Sequence, residues 1–208
     1  MGLLSLLFKD PASFLILVIP LLYSIIIHEI AHGWVASIFG DDTARSAGRL
    51  SLNPMVHLDP VGTLALFIAG FGWARPVPID YSKIRHFRTG LVCISLAGCL
   101  ANILIAAMAI LALQFRAINS HPLAGPIFFV LAKINIMLGA LNLIPIPPLD
   151  GSRILLGILP EGGQRMLLRL EPYGLLILLG LLFTGFLNPV IMFIQDIIVA
   201  LIKLILRI

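Results

Sequence analysis

The chain has 208 residues, 60% of them hydrophobic and only 12% charged, with a mean hydropathy of +1.07. Soluble domains average about 45–50% apolar and about 25% charged residues, so the composition excludes an ordinary soluble domain and points to lipid as the surrounding solvent. A formal net charge of +4 does not signal a nucleic-acid ligand, because the basic residues are scattered between apolar segments, where membrane topology accounts for them.

A first span is predicted from Pro11 to Phe39, with Pro20 as a local bend and Gly40-Asp41-Asp42 as its end. That run carries the chemistry described below, so it does not read as a cleaved signal peptide. Residues 43–60 hold polar groups and two prolines without helical period, and are expected at the membrane surface or folded back into the protein. Val61 to Trp73 is apolar but too short to cross a bilayer, and reads as a re-entrant or β-hairpin-like insertion between the first and second spans. A basic loop, Ala74 to Thr89, follows.

Further spans are expected from Leu91 to Phe115 and from Pro126 to Ile144, the latter halted by Pro145, Pro147 and Pro148. After a polar stretch from Asp150 to Glu171, Tyr173 to Leu187 and Val190 to Ile208 read as two more helices joined at Asn188-Pro189. The expected architecture is an all-α polytopic membrane protein of about five transmembrane helices, forming one integral membrane domain over residues 1–208. Cys93 and Cys99 are six positions apart in one apolar span, so they face different directions and are expected as free, buried thiols.

Placing the end of the first span in the cytoplasm puts Arg45, Arg49, Arg75, Lys83, Arg85, Arg88, Arg153, Arg165 and Arg169 on that side. Lys203 and Arg207 join them if the last helix crosses, while Lys9 and Arg116 fall opposite. The positive-inside rule therefore favours an orientation in which the first span ends in the cytoplasm; the compact chain and the charge asymmetry fit a prokaryotic plasma membrane, with an organelle membrane as the alternative. Lys133 lies within a span and is expected to snorkel or to pair with a carboxylate or helix end.

His28-Glu29-Ile30-Ala31-His32 is the most informative segment. At helical spacing His28 and His32 share one face and can reach a single Zn²⁺, while Glu29 can hold and deprotonate a water at the metal. In a soluble helix the pattern is weak. Inside an apolar span an ionisable side chain costs from about 3 to more than 10 kcal/mol, which favours a functional site over a hydrogen-bonded packing cluster. A catalytic zinc takes three protein ligands and keeps one open position. Asp150 is the candidate third ligand: Asp-Gly alone would read as a turn, but it follows the third span at the end where the first helix carries its histidines.

Taken together, these segments resemble the site-2 proteases, intramembrane zinc proteases, in a short form without a PDZ domain. The likeness is carried by His28 to His32, by Asn142 to Gly151, by Gly48-Arg49-Leu50-Ser51-Leu52-Asn53-Pro54 with His57 and Asp59-Pro60, and by Gly72-Trp73-Ala74-Arg75-Pro76-Val77-Pro78. The resemblance implies that Asp150 is the third zinc ligand, and that Asn142 positions substrate or stabilises the oxyanion, a role a carboxamide donor suits; otherwise Asn142 is an interhelical hydrogen-bonding residue. The family often has Gly-Pro before an Asn on the middle span, whereas this chain reads Gly98-Cys99-Leu100-Ala101-Asn102, so a contribution from Asn102 does not follow from the likeness. His57 is expected to hydrogen-bond within its loop rather than to ligate metal. The function expected is hydrolysis of peptide bonds in or near transmembrane segments of membrane-protein substrates, with the lipid bilayer as partner and no nucleic acid. A catalytically silent helix-binding relative and a metal-handling transporter are the alternatives.

Overall fold

The structure is a computed structural model and describes residues 3–69 and 72–208. A short helix α1 (Leu3–Lys9) meets the 28-residue α2 (Pro11–Ile38) at Asp10. The Asp10 carboxylate accepts the Ser13 backbone N–H at 3.1 Å and Pro11 occupies the first turn, so a side-chain acceptor and a residue without an N–H dispose of donors that a helix start leaves unpaired. At 1.5 Å per residue α2 is about 42 Å long, more than a hydrocarbon core requires. Pro20 sits inside it without ending it.

Between the first two spans come α3 (Thr43–Ser46), a 3₁₀ turn at Pro54–Val56 and α4 (Pro60–Ala69). The expected insertion is therefore helical and not a β-hairpin: among the described residues the sole β pairing is an isolated antiparallel bridge between Leu58 and Ala74. The physical reason is a helix start at Asp59-Pro60. Asp59 Oδ1 accepts the Gly62 N–H at 2.7 Å, and a proline at the first helical position needs no partner for a missing donor. A helix of 10 residues then satisfies most of its own backbone in an apolar setting, which a lone hairpin does not. α4 packs on α1, and Phe67 stacks on Phe14 at a centroid separation of 6.1 Å. The chain then returns beside α4, so tightly that a Cβ on Gly72 would stand 2.3 Å from the Gly62 carbonyl oxygen.

The loop is tied at both ends. Asp41, fully buried, accepts the Thr43 N–H on Oδ1 at 3.0 Å and the Asp80 N–H on Oδ2 at 2.7 Å. The second long helix α5 (Phe87–Leu113) leads through the single turn α6 (Arg116–Asn119) to α7 (Ala124–Asn142). Beyond α7 lie α8 (Asp150–Ile158), α9 (Glu161–Leu170), α10 (Gly174–Phe183) and α11 (Asn188–Leu206). The stretch expected to be merely polar from Asp150 to Glu171 thus forms two helices. The second runs through a 3₁₀ turn into α10, giving one apolar helical run from Glu161 to Phe183. With α2, α5, α7 and α11 that makes five helices long and apolar enough to cross a membrane.

α5 is the hub, packed against α2, α7, α8 and α11. Its buried face includes Gly90, Ser95, Ala97, Gly98, Cys99, Ala106 and Ala109, small residues that let helix backbones approach where lipid supplies no hydrophobic drive between helices. Ala106, Ala140, Ile198 and Ile202 join α5, α7 and α11; Ile144, Leu149, Leu178, Leu187 and Ile191 seal the turn after α7 against α10 and α11. Large apolar side chains such as Leu104, Met108, Phe183 and Phe193 point outward, as a lipid-facing surface requires. Lys133, exposed on α7, sets its ammonium 5.2 Å from the Phe129 ring centroid, a ring face taking the place of the expected carboxylate or helix end. Cys93 and Cys99 are free, the first half-buried and the second buried.

Ile144 to Leu149 bring α8 back onto the end of α7. A Cβ on Gly151 would lie 2.4 Å from both the Leu143 and the Ile144 carbonyl oxygens, so only glycine lets α8 start there and carry Asp150 inward. Gly151→Ala is expected to lower the thermal unfolding temperature of the detergent-solubilised protein and its zinc content together, read by a melting curve and by metal analysis; unchanged values for both would show that the contact relaxes without moving Asp150.

Candidate metal centre

Three side chains from two distant parts of the chain meet beside α5. His28 and His32, one turn apart on α2, are both 7% exposed, and Asp150 opens α8. His28 Nε2 and His32 Nε2 are 2.9 Å apart, and Asp150 Oδ2 is 3.0 Å from the first and 3.2 Å from the second. Among the described residues this is the group of His, Cys, Asp and Glu side chains able to hold a metal ion.

The far side of each imidazole decides what the near side is. His32 Nδ1 lies 2.6 Å from the Ile94 carbonyl oxygen, which can only accept, so Nδ1 carries the proton and Nε2 presents a lone pair. His28 Nδ1 faces Asn102 Oδ1 at 2.5 Å, with the same consequence. With both imidazoles neutral, two lone pairs and a carboxylate oxygen therefore converge with no donor among them. A cation about 2.0 Å from each of three tetrahedrally arranged atoms would hold them about 3.3 Å apart, close to the triangle observed. The donor set, two neutral imidazoles and one carboxylate, is one that zinc takes in catalytic sites.

Room for this cluster is made by α5. A Cβ on Gly98 would stand 2.5 Å from His32 Nε2 and 2.6 Å from His28 Nε2, so any side chain at that position would occupy the ligand atoms' own space. Cys99, its neighbour, approaches Asp150 Oδ2 only to 4.0 Å.

Glu29, half-buried, follows the first histidine and accepts the Val77 backbone N–H on Oε2 at 2.9 Å. Val77 belongs to an extended segment that Arg49 secures, its Nη2 donating to the Arg75 carbonyl at 2.6 Å and the Pro76 carbonyl at 3.1 Å. Arg75 in turn donates its N–H to the His57 carbonyl at 2.8 Å. His57 is fully buried in the loop, its Nε2 2.8 Å from the Ser51 carbonyl oxygen, and it is not one of the clustered ligands. Asn142 sits in the last turn of α7, where its amide donates to the Leu138 carbonyl at 3.0 Å, a bond within its own helix and not to the histidines or Asp150.

A protein of Bacillus subtilis (strain 168) named "Putative zinc metalloprotease YwhC" is 40% identical to this chain over 175 residues, which cover 81% of this chain and 80% of that protein. The chain belongs to peptidase family M50, the site-2 protease family. The profile described as Peptidase family M50 matches residues 116–185, the part that carries Asp150. A protein of Mycolicibacterium smegmatis named "Putative zinc metalloprotease Rip2" is 31% identical over 84% of this chain and 69% of its own length. Zinc metalloprotease MJ0392 of Methanocaldococcus jannaschii is 31% identical over 70% of this chain and 35% of its own. No solved structure matches. The protein is thus a zinc metalloprotease of family M50 and a multi-pass membrane protein. Among the described residues there is no strand-built domain of the PDZ kind.

The sequence offered Arg49, Val77 and Gly98 only as members of longer segments, without the part each plays beside the ligands and Glu29. Gly98 is one small residue among many in α5, and Val77 acts through its backbone, so neither side chain announces itself. Gly98→Ala is expected to weaken zinc binding by about 10–100-fold, as disturbance of ligand orientation does, and His32→Ala to abolish it; competition against a chromophoric chelator measures both, and a Gly98→Ala protein that binds zinc like wild type would show that the ligands tolerate the methyl group.

Proposed function

We propose that the protein is an intramembrane zinc endopeptidase that hydrolyses peptide bonds in or near the transmembrane segments of membrane-protein substrates. The observation that carries this reading is the convergence of three acceptor atoms with Glu29 on the same helix, within a span long and apolar enough to cross the bilayer. His28, His32 and Asp150 are the residues that would hold zinc, which when bound supplies Lewis acidity toward the attacking water and the scissile carbonyl.

The chain's own residues supply the rest. Glu29 Oε2 is occupied by the Val77 N–H, which leaves Oε1 as the oxygen to take a proton from the attacking water. That proton passes to the leaving amine as the C–N bond breaks, and the remaining water proton leaves the new carboxyl group for the same amine, so peptide and water become a carboxylate and an ammonium with Glu29 restored. Asn142 would turn its carboxamide from the Leu138 carbonyl toward the oxygen of the tetrahedral intermediate, where a donor is worth most. A transmembrane helix hides its carbonyls in hydrogen bonds, so the substrate must unwind. The irregular stretch from Arg45 to Pro78 would take the unwound segment by strand addition only where its backbone groups are free, since the Arg75 and Val77 N–H groups and the Arg75 and Pro76 carbonyls are already bonded. The basic loops around the end of α2 favour a site opening toward the cytoplasm of a prokaryotic plasma membrane, and residues 1–208 suffice as a single metalloprotease domain.

Cleavage of a panel of transmembrane peptides by detergent-purified protein tests the reading. Wild type is expected to cut within or beside the apolar segment. Glu29→Gln is expected to lower turnover by about 10²-fold or more while zinc stays bound, and a chelator to abolish it. Undiminished turnover by Glu29→Gln would remove Glu29 as the base; a zinc-loaded wild type inert on every peptide and in reconstituted bilayers would overturn the endopeptidase assignment.

A further inference from the structure

His28 can offer Nε2 to a metal only while its proton resides on Nδ1. For His32 that condition is met directly by the backbone carbonyl of Ile94. For His28 the partner is a carboxamide, Asn102, which would offer an NH₂ in place of its oxygen if turned over. What holds Asn102 in the right sense lies further off, on α7 and in the middle of α2.

Asn135 is fully buried, as is Asn102. Asn135 Nδ2 lies 2.8 Å from the Leu131 carbonyl oxygen and 2.8 Å from Ser24 Oγ. A backbone carbonyl can only accept, so the NH₂ of Asn135 must be the group that faces Leu131. Ser24 agrees with this sense: its hydroxyl donates to the Pro20 carbonyl at 2.6 Å, leaving a lone pair for Asn135. With its NH₂ committed to α2 and to its own helix, Asn135 turns Oδ1 toward α5 and accepts from Asn102 Nδ2 at 2.8 Å. Asn102 must then present Oδ1 to His28, 2.5 Å from Nδ1. Turning over either amide would set oxygen against oxygen, in a buried setting where an unsatisfied polar group costs several kcal/mol.

We propose that Asn135 is a positioning residue for the metal centre: acting through Asn102, and anchored on the carbonyls of Leu131 and Pro20, it fixes the protonated nitrogen and the ring orientation of His28. The proposal rests on His28 being a zinc ligand through Nε2. The relay crosses three helices, α7 to α5 to α2, and each link has one permitted direction. Asn135 touches neither metal nor substrate, so its effect appears in zinc affinity and ligand field before it appears in turnover.

The test uses the full-length protein in detergent, with zinc affinity measured by chelator competition and the visible spectrum recorded after cobalt substitution. Asn135→Leu removes both ends of the relay and is expected to weaken zinc binding by about 10–100-fold, the usual effect of losing an outer partner of a metal-bound histidine, with a shifted cobalt spectrum. Asn135→Ala, which introduces no larger side chain, serves where Asn135→Leu does not accumulate. The deciding variant is Asn102→Asp combined with Asn135→Leu. A carboxylate at position 102 accepts the His28 N–H in either orientation and needs no instruction from α7, so affinity and spectrum are expected to return toward wild type. A role for Asn135 in packing alone would not be rescued by that second change. The proposal is overturned if Asn135→Leu and Asn135→Ala bind zinc and cobalt as wild type does, or if the double variant stays as weak as the single one. His28→Ala runs alongside: wild-type zinc affinity in that variant would remove His28 from the ligand set and the relay's purpose with it, a result distinct from failure of the relay itself.

Discussion

Two imidazole nitrogens and a carboxylate oxygen are held within 3.2 Å of one another, and with both rings neutral they repel unless a cation sits among them. In a protein interior that repulsion is poorly screened, and the surrounding structure is arranged to keep the three atoms together. Ile94 and Asn102 hold the protons on the far nitrogens. Gly98 leaves the space that any side chain would fill, and Gly151 lets α8 begin against the last carbonyls of α7 so that Asp150 arrives at the right place. The candidate metal centre of this M50 protease is thereby a joint between α2, α5 and the turn after α7, one that a bound zinc would close.

A hydrolase built among lipid-facing helices meets two opposed demands. The bundle must satisfy its polar groups internally, and the reaction consumes water. The division of the chain reflects both. Within the bundle, Ser24, Asn102, Asn135 and His28 satisfy one another in a connected set of hydrogen bonds. Glu29 bonds to the polar loop between the first two spans. That loop is as firmly tied as a helix: Asp41 bonds across it to Asp80, and Arg49 grips the carbonyls of Arg75 and Pro76.

Much of this was legible in the residues. The five spans follow from hydropathy, because lipid exposure leaves long apolar runs with few alternatives. His28, His32 and Asp150 came together as expected, since an H-E-x-x-H on a helix and an Asp-Gly after a proline-rich turn have few bland explanations at one end of a bundle. The insertion read as hairpin-like is a helix, because Asp59-Pro60 is a start signal whose strength depends on a cap hydrogen bond that composition does not display. The two helices between Asp150 and Leu170 were hidden by their charged residues, which lower the mean apolarity of a window without breaking its period. The roles of Gly98, Val77 and Asn135 were not legible for a common reason: each acts by where it stands, through missing bulk, a backbone N–H or an amide's orientation, and none of these is written in residue type alone.

Glu29 is anchored from outside its own helix. One oxygen of its carboxylate is held not by α2, which carries it, but by a peptide N–H on a separate extended strip that borrows its own rigidity from Arg49. The direction of that carboxylate is therefore set jointly by a helix and by a loop, two segments 48 residues apart, and the loop acts as a structural part of the centre and not as a connector between spans.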